Sequence, residues 1–408
     1  MYPADRIAEI QESHKLGITA EIRQIDFGTI MERMREKVVT GQDHVRQAIR
    51  NNRKLDFYEG EARFTGNYTL EINSEKIRGK KIFIVAGARP LIPNIKGIDR
   101  VPYLTNETLL ALDERPKSLI IIGGGDVAVE YAHFFASVGT EVTVLQRNRR
   151  LVPMEEPEIS DLLKKVLQRR MTVLTDTEVT EVKRVGGFYA AVGKKISTGE
   201  TVEATASAIL LAAGRKSNAD TLNVENTGVK TDDRGYIKVD DFFETSQKNI
   251  WAFGDILGIS MFRHVANRQA LITWHNAMHK EKMKMDFQSA PHAIFTSPQI
   301  ASVGLTEEQA VKQFKPGEIL IGRSRYSDVV MGEAMAVSDG FAKALVEKKT
   351  GRILGFHMIG PSSSALIQEV INMIAIGGDA WALGRGMHIH PALPELIIST
   401  LNNLHEGH

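Results

Sequence analysis

The stretch SLIIIGGGDVAVEYAHFF, residues 118–135, leaves few folds open to this chain. A short apolar run reaches three glycines, and the residues after them repeat their apolar positions at helical spacing. A strand that turns on glycine straight into a helix is the opening of a βαβ unit. The next segments supply the rest: EVTVLQ as a second strand, PEISDLLKKVLQRR as a second helix and MTVL as a third strand. Residues 117–176 therefore predict the βαβαβ half of a doubly wound parallel sheet.

Such a turn carries chemistry. Within it stands Gly123-x-Gly125-x-x-Ala128. Gly123 permits the tight turn, Gly125 lets backbone approach a pyrophosphate, and Ala128 is small enough for helix and strand to pack closely. The first N–H groups of the helix, with its dipole, favour an anion. A second strand ending in an acid would bind the ribose of NAD. Here EVTVLQRNRR ends in Gln146, followed by Arg147, Arg149 and Arg150. Guanidinium groups hold phosphate bidentately, so the pattern favours the 2′-phosphate of NADP. The plainer alternative is a solvated basic loop.

Away from this segment the period changes. Residues 1–55 read as helical, and 60–90 as short strands joined by turns. RPLIPNIKGID (89–99), with two prolines and a glycine, reads as a crossing between domains. A meander follows 176 and runs to about 215, residues 236–285 hold a strand and a long helix, and an antiparallel sheet with helices begins at 288. Three buried strands end in glycine: KIFIVAGARP at Gly87, AILLAAGRKSN at Gly214 with Arg215 beside it, and NIWAFGDI. The last places Asp255 just past a strand end, where an acid suits a sugar hydroxyl. FRHVANRQA (262–270), with His264 and Ala266, opens a helix whose N-terminal amides suit an electron-rich ring oxygen. Near the C-terminus, HIHPALPE sets His390 before a proline and Glu395 five residues later. That spacing suggests an imidazole held by a carboxylate for proton transfer. A buried structural histidine is the alternative.

Composition narrows the field further. A net charge of +1 argues against electrostatic capture of nucleic acid or acidic membrane. No apolar run is long enough to span a bilayer, and the N-terminus lacks the basic and apolar regions of a signal peptide. The chain has no cysteine, which excludes structural disulfides and thiolate metal sites and makes a cytoplasmic location the default. No metal site is expected.

Together these motifs resemble the FAD-dependent pyridine nucleotide–disulfide oxidoreductases, the family of dihydrolipoamide dehydrogenase, glutathione reductase and mercuric reductase. The resemblance runs along essentially the whole chain. It rests on residues 123–130, GARPLIPNIKG, AAGRKSN, AFGD, PHAIFTSPQIASVGLTEEQA (291–310) and HIHPALPE, in that order. It implies an α/β fold of two Rossmann-like doubly wound domains, an FAD domain split by an inserted NAD(P) domain, plus an α+β dimerisation domain. The expected limits are 1–115 with 236–287 for FAD, 116–235 for NAD(P) and 288–408 for dimerisation. It also implies a homodimer in which each histidine serves the neighbour's flavin, with His390 as base and Glu395 as its orienting acid. Glu130 matches the family glutamate that pairs with a lysine near the flavin.

In that family a strand–GxGxxG–helix and a Cys-x4-Cys pair precede a stretch similar to YPADRIAEI. The expectation is thus an FAD domain without its first βαβ and without the redox thiols. Asp126 stands where relatives often carry an apolar or tyrosine residue beside the nicotinamide, and Pro394 replaces a small polar residue. The implied activity is oxidation of a small-molecule or protein-bound dithiol through FAD to NAD(P)+, most like dihydrolipoamide dehydrogenase. Alternatives are an NADPH-dependent reductase of the glutathione or mercuric reductase kind, or a homologue that only binds nucleotide and dimerises.

Overall fold

Leu119, Ile120, Ile121 and Ile122 are all buried, so Ser118–Ile122 forms a strand covered on both faces, as a central parallel strand must be. In the computed structural model, which describes residues 1–407, it lies inside a four-stranded parallel sheet. Across that sheet the order is Ala208–Leu211, Ser118–Ile122, Glu141–Leu145, Thr172–Leu174. The reversal of direction in strand order falls beside Ser118–Ile122, where a doubly wound sheet binds its ligand. Helix Asp126–Ser137 buries Ala128, Val129, Ala132 and Phe135 against the sheet. Helix Pro157–Leu167 starts on proline, carries Glu158 in its first turn and Lys164 and Lys165 in its last, and buries Ile159, Leu163 and Leu167. The expected meander is a three-stranded antiparallel sheet of Thr177–Val185, Phe188–Lys195 and Thr201–Ala206.

These elements belong to one of two compact units, formed by residues 1–31, 92–213 and 291–408. Its other layer is a six-stranded antiparallel sheet from His292–Ile294 to His405–Glu406, with Ile353–Gly360 buried along its whole length. Phe356, Met358, Val370, Leu396 and Ile397 fill the core between this sheet and its helices. At the start of the chain, helix Tyr2–Glu12 buries Ala4, Ile7 and Ala8, and His133 bonds Asp5 at 2.9 Å.

The second unit comprises residues 32–91 and 214–290. It holds a three-stranded hairpin sheet (62–78), a two-stranded parallel sheet of Ile82–Ile84 with Ile250–Ala252, and an antiparallel pair, Ala88–Pro90 with Arg215–Ser217. Phe64, Ile84, Phe243, Ile250 and Ile256 form its core. Residues 214–235, grouped by sequence spacing with the 116–213 segment, pack in this second unit. The cause is local pairing: Arg215–Ser217 takes Ala88–Pro90 as its partner strand, and Arg89 clamps Asp220 through both Nη atoms at 2.8 and 2.7 Å.

Candidate functional site

At the end of Ser118–Ile122 the backbone of Gly123 takes a φ of 127°, and a Cβ there would stand 2.1 Å from the carbonyl oxygen of Ala212. Only glycine fits. The middle glycine has a different reason. A Cβ on Gly124 would meet the Gln146 side chain at 2.8 Å. Gln146 is itself buried, and its Nε2 donates to Arg150 O at 3.3 Å. The side chain expected at the ribose therefore folds under the turn and shapes it. Gly125 caps the helix with open space around its Cα, so the helix N-terminus is accessible to an anion. Arg147 and Arg149 are exposed and make no ion pair among the described residues, whereas Arg150 faces Asp161 at 3.6 Å and Glu308 at 3.9 Å.

Glu130 lies one turn along the same helix, and its Oε1 accepts the N–H of Phe295 at 2.8 Å. Burial pushes the Glu130 carboxyl above its ordinary range, with the charge of Asp126 adding and the Phe295 bond opposing. Behind the turn lie groups that the sequence reading did not single out. Val152 N–H donates to Gly124 O at 2.7 Å, and three residues on, buried Glu155 accepts from His292 Nε2 and from Ser302 Oγ (2.5 Å). Burial works against the Glu155 charge, yet those two bonds hold its carboxyl below the ordinary value. His292 is likewise desolvated, and its bond to Glu155 holds the imidazole above its ordinary value.

Glu156, Glu158 and Glu307 bring carboxylates within 4.8 Å of one another, a spacing that could hold a cation. That cation is Lys343. Its Nζ lies 2.8, 3.0 and 2.6 Å from the three acids, and its side chain is 1% exposed. The only hints in the sequence were the acidic run MEEPE and a lysine inside the apolar strand FAKALVE.

In the second unit, the glycines that end buried strands also have positive φ: 69° at Gly87, 125° at Gly214 and 82° at Gly254. Arg215 Nη2 donates to Ala88 O at 2.6 Å and lies 3.4 Å from Asp255. Arg215 Nε and Gln269 Nε2 are buried polar atoms without a partner, although Gln269 Oε1 accepts the Gly254 N–H at 2.6 Å. Helix Arg263–Met278 begins beside them, with His264 and Ala266 in its first turn and no side chain capping it. A group with hydroxyls and acceptor atoms would satisfy this set: an acid, an orphaned guanidinium N–H, an orphaned amide and a helix N-terminus that no side chain caps.

His390 and Glu395 meet as expected. Nδ1 of the imidazole lies 2.8 Å from Glu395 Oε1, and Oε2 of the same carboxylate accepts Ala392 N–H at 3.0 Å. The His390 bond, then the Ala392 bond, hold the Glu395 carboxyl below its usual range. The His390 side chain is 64% exposed, which sets aside the buried structural alternative. His388 is tied by Nε2 to Glu369 at 3.2 Å and by Nδ1 to Gly386 O at 2.9 Å.

Comparison with known proteins adds the following. The family described as pyridine nucleotide-disulphide oxidoreductase matches residues 6–279, and its dimerisation domain matches residues 290–400. Mycothione reductase from Mycobacterium tuberculosis is 32% identical over 420 residues, covering 99% of this chain and 89% of that protein. Dihydrolipoyl dehydrogenase from Bacillus subtilis is 29% identical over 408 residues, covering 95% and 84%. Among solved structures, the HOCl-induced flavoprotein disulfide reductase RclA from Escherichia coli superposes with a TM-score of 0.84 at 26% identity, covering 98% of this chain and 89% of that one.

Proposed function

This chain belongs to the pyridine nucleotide-disulphide oxidoreductase family, and we propose that it works there as a cytoplasmic, NADP(H)-binding homodimer of the dihydrolipoyl dehydrogenase kind. The observation that carries the reading is the turn at Gly123–Gly125. Its backbone fits no residue but glycine at Gly123, and it opens a helix N-terminus at the switch point of a parallel sheet. Gly123, Gly125 and Ala128 would cradle the pyrophosphate. Arg147 and Arg149 would take the 2′-phosphate, because both are exposed and neither is held in an ion pair within 4 Å among the described residues, although Arg149 also feels the charge of Asp176.

The family's other cofactor is FAD, and the second unit's donor set fits it. Asp255 and Arg215 would hold its hydroxyl-bearing chain, and the helix that starts with His264 and Ala266 would face its ring oxygen. When bound, the flavin relays an electron pair between a dithiol and the nicotinamide. Around that chemistry the chain's own groups manage protons. Glu395 accepts from Nδ1, which fixes the proton there and leaves the lone pair on Nε2 of an exposed ring. Nε2 of His390 is then the base for a thiol. The 408 residues contain no cysteine, so the thiol lies outside them. The dimerisation segment, residues 290–400, carries this histidine, consistent with a pair of subunits sharing sites.

The exposed arginines favour a second direction of turnover, in which NADPH reduces a disulfide. Calorimetric titration of NADPH and NADH into the full chain tests the nucleotide reading. One or two charge-assisted bonds to the extra phosphate should favour NADPH by about tenfold, close to 1.4 kcal/mol. Arg147→Ala and Arg149→Ala should each erase part of that preference. Equal affinities, unchanged by either substitution, would return this loop to the solvent. Robust lipoamide-dependent oxidation of NADPH by residues 1–408 alone would refute the role given to an external thiol.

A further inference from the structure

Successive strands of the six-stranded sheet place His292, Ser302, His357, Lys343 and Arg323 in a single transverse row. Each stands directly opposite the next in the pairing register, so all five side chains leave the same face. Along that row lie the acids of the stretch MEEPE. Glu155 accepts from His292 Nε2 and from Ser302 Oγ at 2.5 Å. Glu156 lies 2.8 Å from Lys343 Nζ and 3.9 Å from His357 Nε2. Glu158 takes Arg323 at 2.7 Å and Lys343 at 3.0 Å.

What the row holds is a strained turn. Val152, three residues before Glu155, has a φ of 38°. A β-branched residue rarely enters that left-handed region, and it persists there only where its surroundings enforce it. Here they do. Val152 is buried, and its carbonyl accepts Glu155 N–H at 3.0 Å and Ser160 Oγ at 3.3 Å. Its N–H donates to Gly124 O at 2.7 Å. Residues 152–156 therefore form a strap, tied at one end to the middle glycine of the turn and at the other to the antiparallel sheet.

We propose that Glu155 is a positioning residue for the nucleotide: held by Ser302 and His292, it keeps Val152 in its strained conformation and so fixes the Gly123–Gly125 backbone. The inference rests on reading that turn as the nucleotide site. A turn that is already ordered spares the ligand the cost of ordering it, so a rigid strap raises affinity without touching the phosphates. Released from the sheet, Val152 relaxes to negative φ, its N–H leaves Gly124 O, and the turn loses one of its ties. The far end of the row does a different job. Arg323 meets Glu158 and Glu307, both beyond the strap, and contributes stability alone.

The test is calorimetric titration of NADPH into the full chain carrying Ser302→Ala, Glu155→Gln or Arg323→Met, each with its urea midpoint beside it. Ser302→Ala leaves His292 on Glu155, and Glu155→Gln preserves the side-chain volume, so both retain the fold. Each should weaken NADPH binding about fivefold, a coupling of ordinary size. Arg323→Met should lower the urea midpoint and leave the affinity unchanged. Val152→Gly separates positioning from general loosening, because glycine adopts a left-handed φ without being held there. In the Val152→Gly background, Ser302→Ala should no longer alter the affinity. NADPH affinities equal to the parent's in Ser302→Ala and Glu155→Gln, or a loss that persists in full beside Val152→Gly, would overturn the strap and leave the nucleotide site standing. If the parent itself does not bind NADPH, the nucleotide reading fails and the strap falls with it.

Discussion

The glycine turns at Gly123 and Gly254 both end buried parallel strands, and they differ in what stands behind them. At Gly123 the strand lies inside a four-stranded sheet, and the turn is pinned from three sides by Ala212, Gln146 and Val152. At Gly254 the parallel sheet has two strands, and a Cβ on the glycine would meet only Ala266 at 3.8 Å, an ordinary contact. There the fixed features are the 82° φ of Gly254 and the hydrogen bond of its N–H to Gln269. The first turn is shaped by packing, the second by hydrogen bonds with polar atoms still unmatched. A packed turn is preorganised for its ligand. An under-bonded one leaves part of its hydrogen-bonding capacity for the group that binds.

The sharpest way to break this contrast is Gly123→Ala. The new methyl would collide with a main-chain oxygen at a φ that side chains rarely adopt. We expect a loss of about 4 kcal/mol or more, the upper end for a single substitution, together with loss of nucleotide binding. Urea unfolding followed by NADPH titration measures both. Gly254→Ala should cost less, since only its φ is at fault, about 1–2 kcal/mol.

Next comes the ammonium behind the packed turn. Lys343→Ala removes the cation among Glu156, Glu158 and Glu307 and leaves Glu156, which has no exposure of its own, as an uncompensated buried charge. Breaking such a pair costs roughly 3 kcal/mol or more. Lys343→Met, with Glu156→Gln alongside, should recover much of the loss in urea denaturation. Failure of that rescue would show that the site depends on lysine for something other than charge balance.

The smallest expected effect lies in the second unit. Arg89 clamps Asp220 and also reaches Ser217 O at 2.9 Å. The pair is about a third exposed, so Arg89→Met should cost only about 1 kcal/mol after solvent screening. The Arg89 bond holds the Asp220 carboxyl well below the usual range. A depressed carboxyl adds stability above its unfolded value and loses it as pH falls through the folded one. The parent's advantage over the variant should thus persist at neutral pH and shrink below about pH 4. A constant difference across that range would show that Arg89 acts through packing alone.

Much of this was legible beforehand because it was local. The parallel strands and helices between 118 and 174 were announced by a change of period within a few residues. His390 and Glu395 could be paired because five residues separate them across a proline. By contrast, Lys343 meets Glu156 across 187 positions, and Ser302 meets Glu155 across 147. No spacing rule reaches that far. The packing of residues 214–235 with residues 32–91 has a similar reason, since strand Arg215–Ser217 pairs with a strand more than a hundred residues upstream.

The sequence by itself determined where the chain must turn and which residues could face a phosphate, a sugar or a proton, because those properties follow from backbone freedom and side-chain chemistry at each position. Only the tertiary structure decided what each of those groups is charged against. Gln146 went under the turn instead of toward the ribose, Lys343 filled an acidic cluster, and Glu155 came to rest between His292 and Ser302. Burial and neighbouring charge set whether a carboxyl is ionised, and both are products of distant segments packing together.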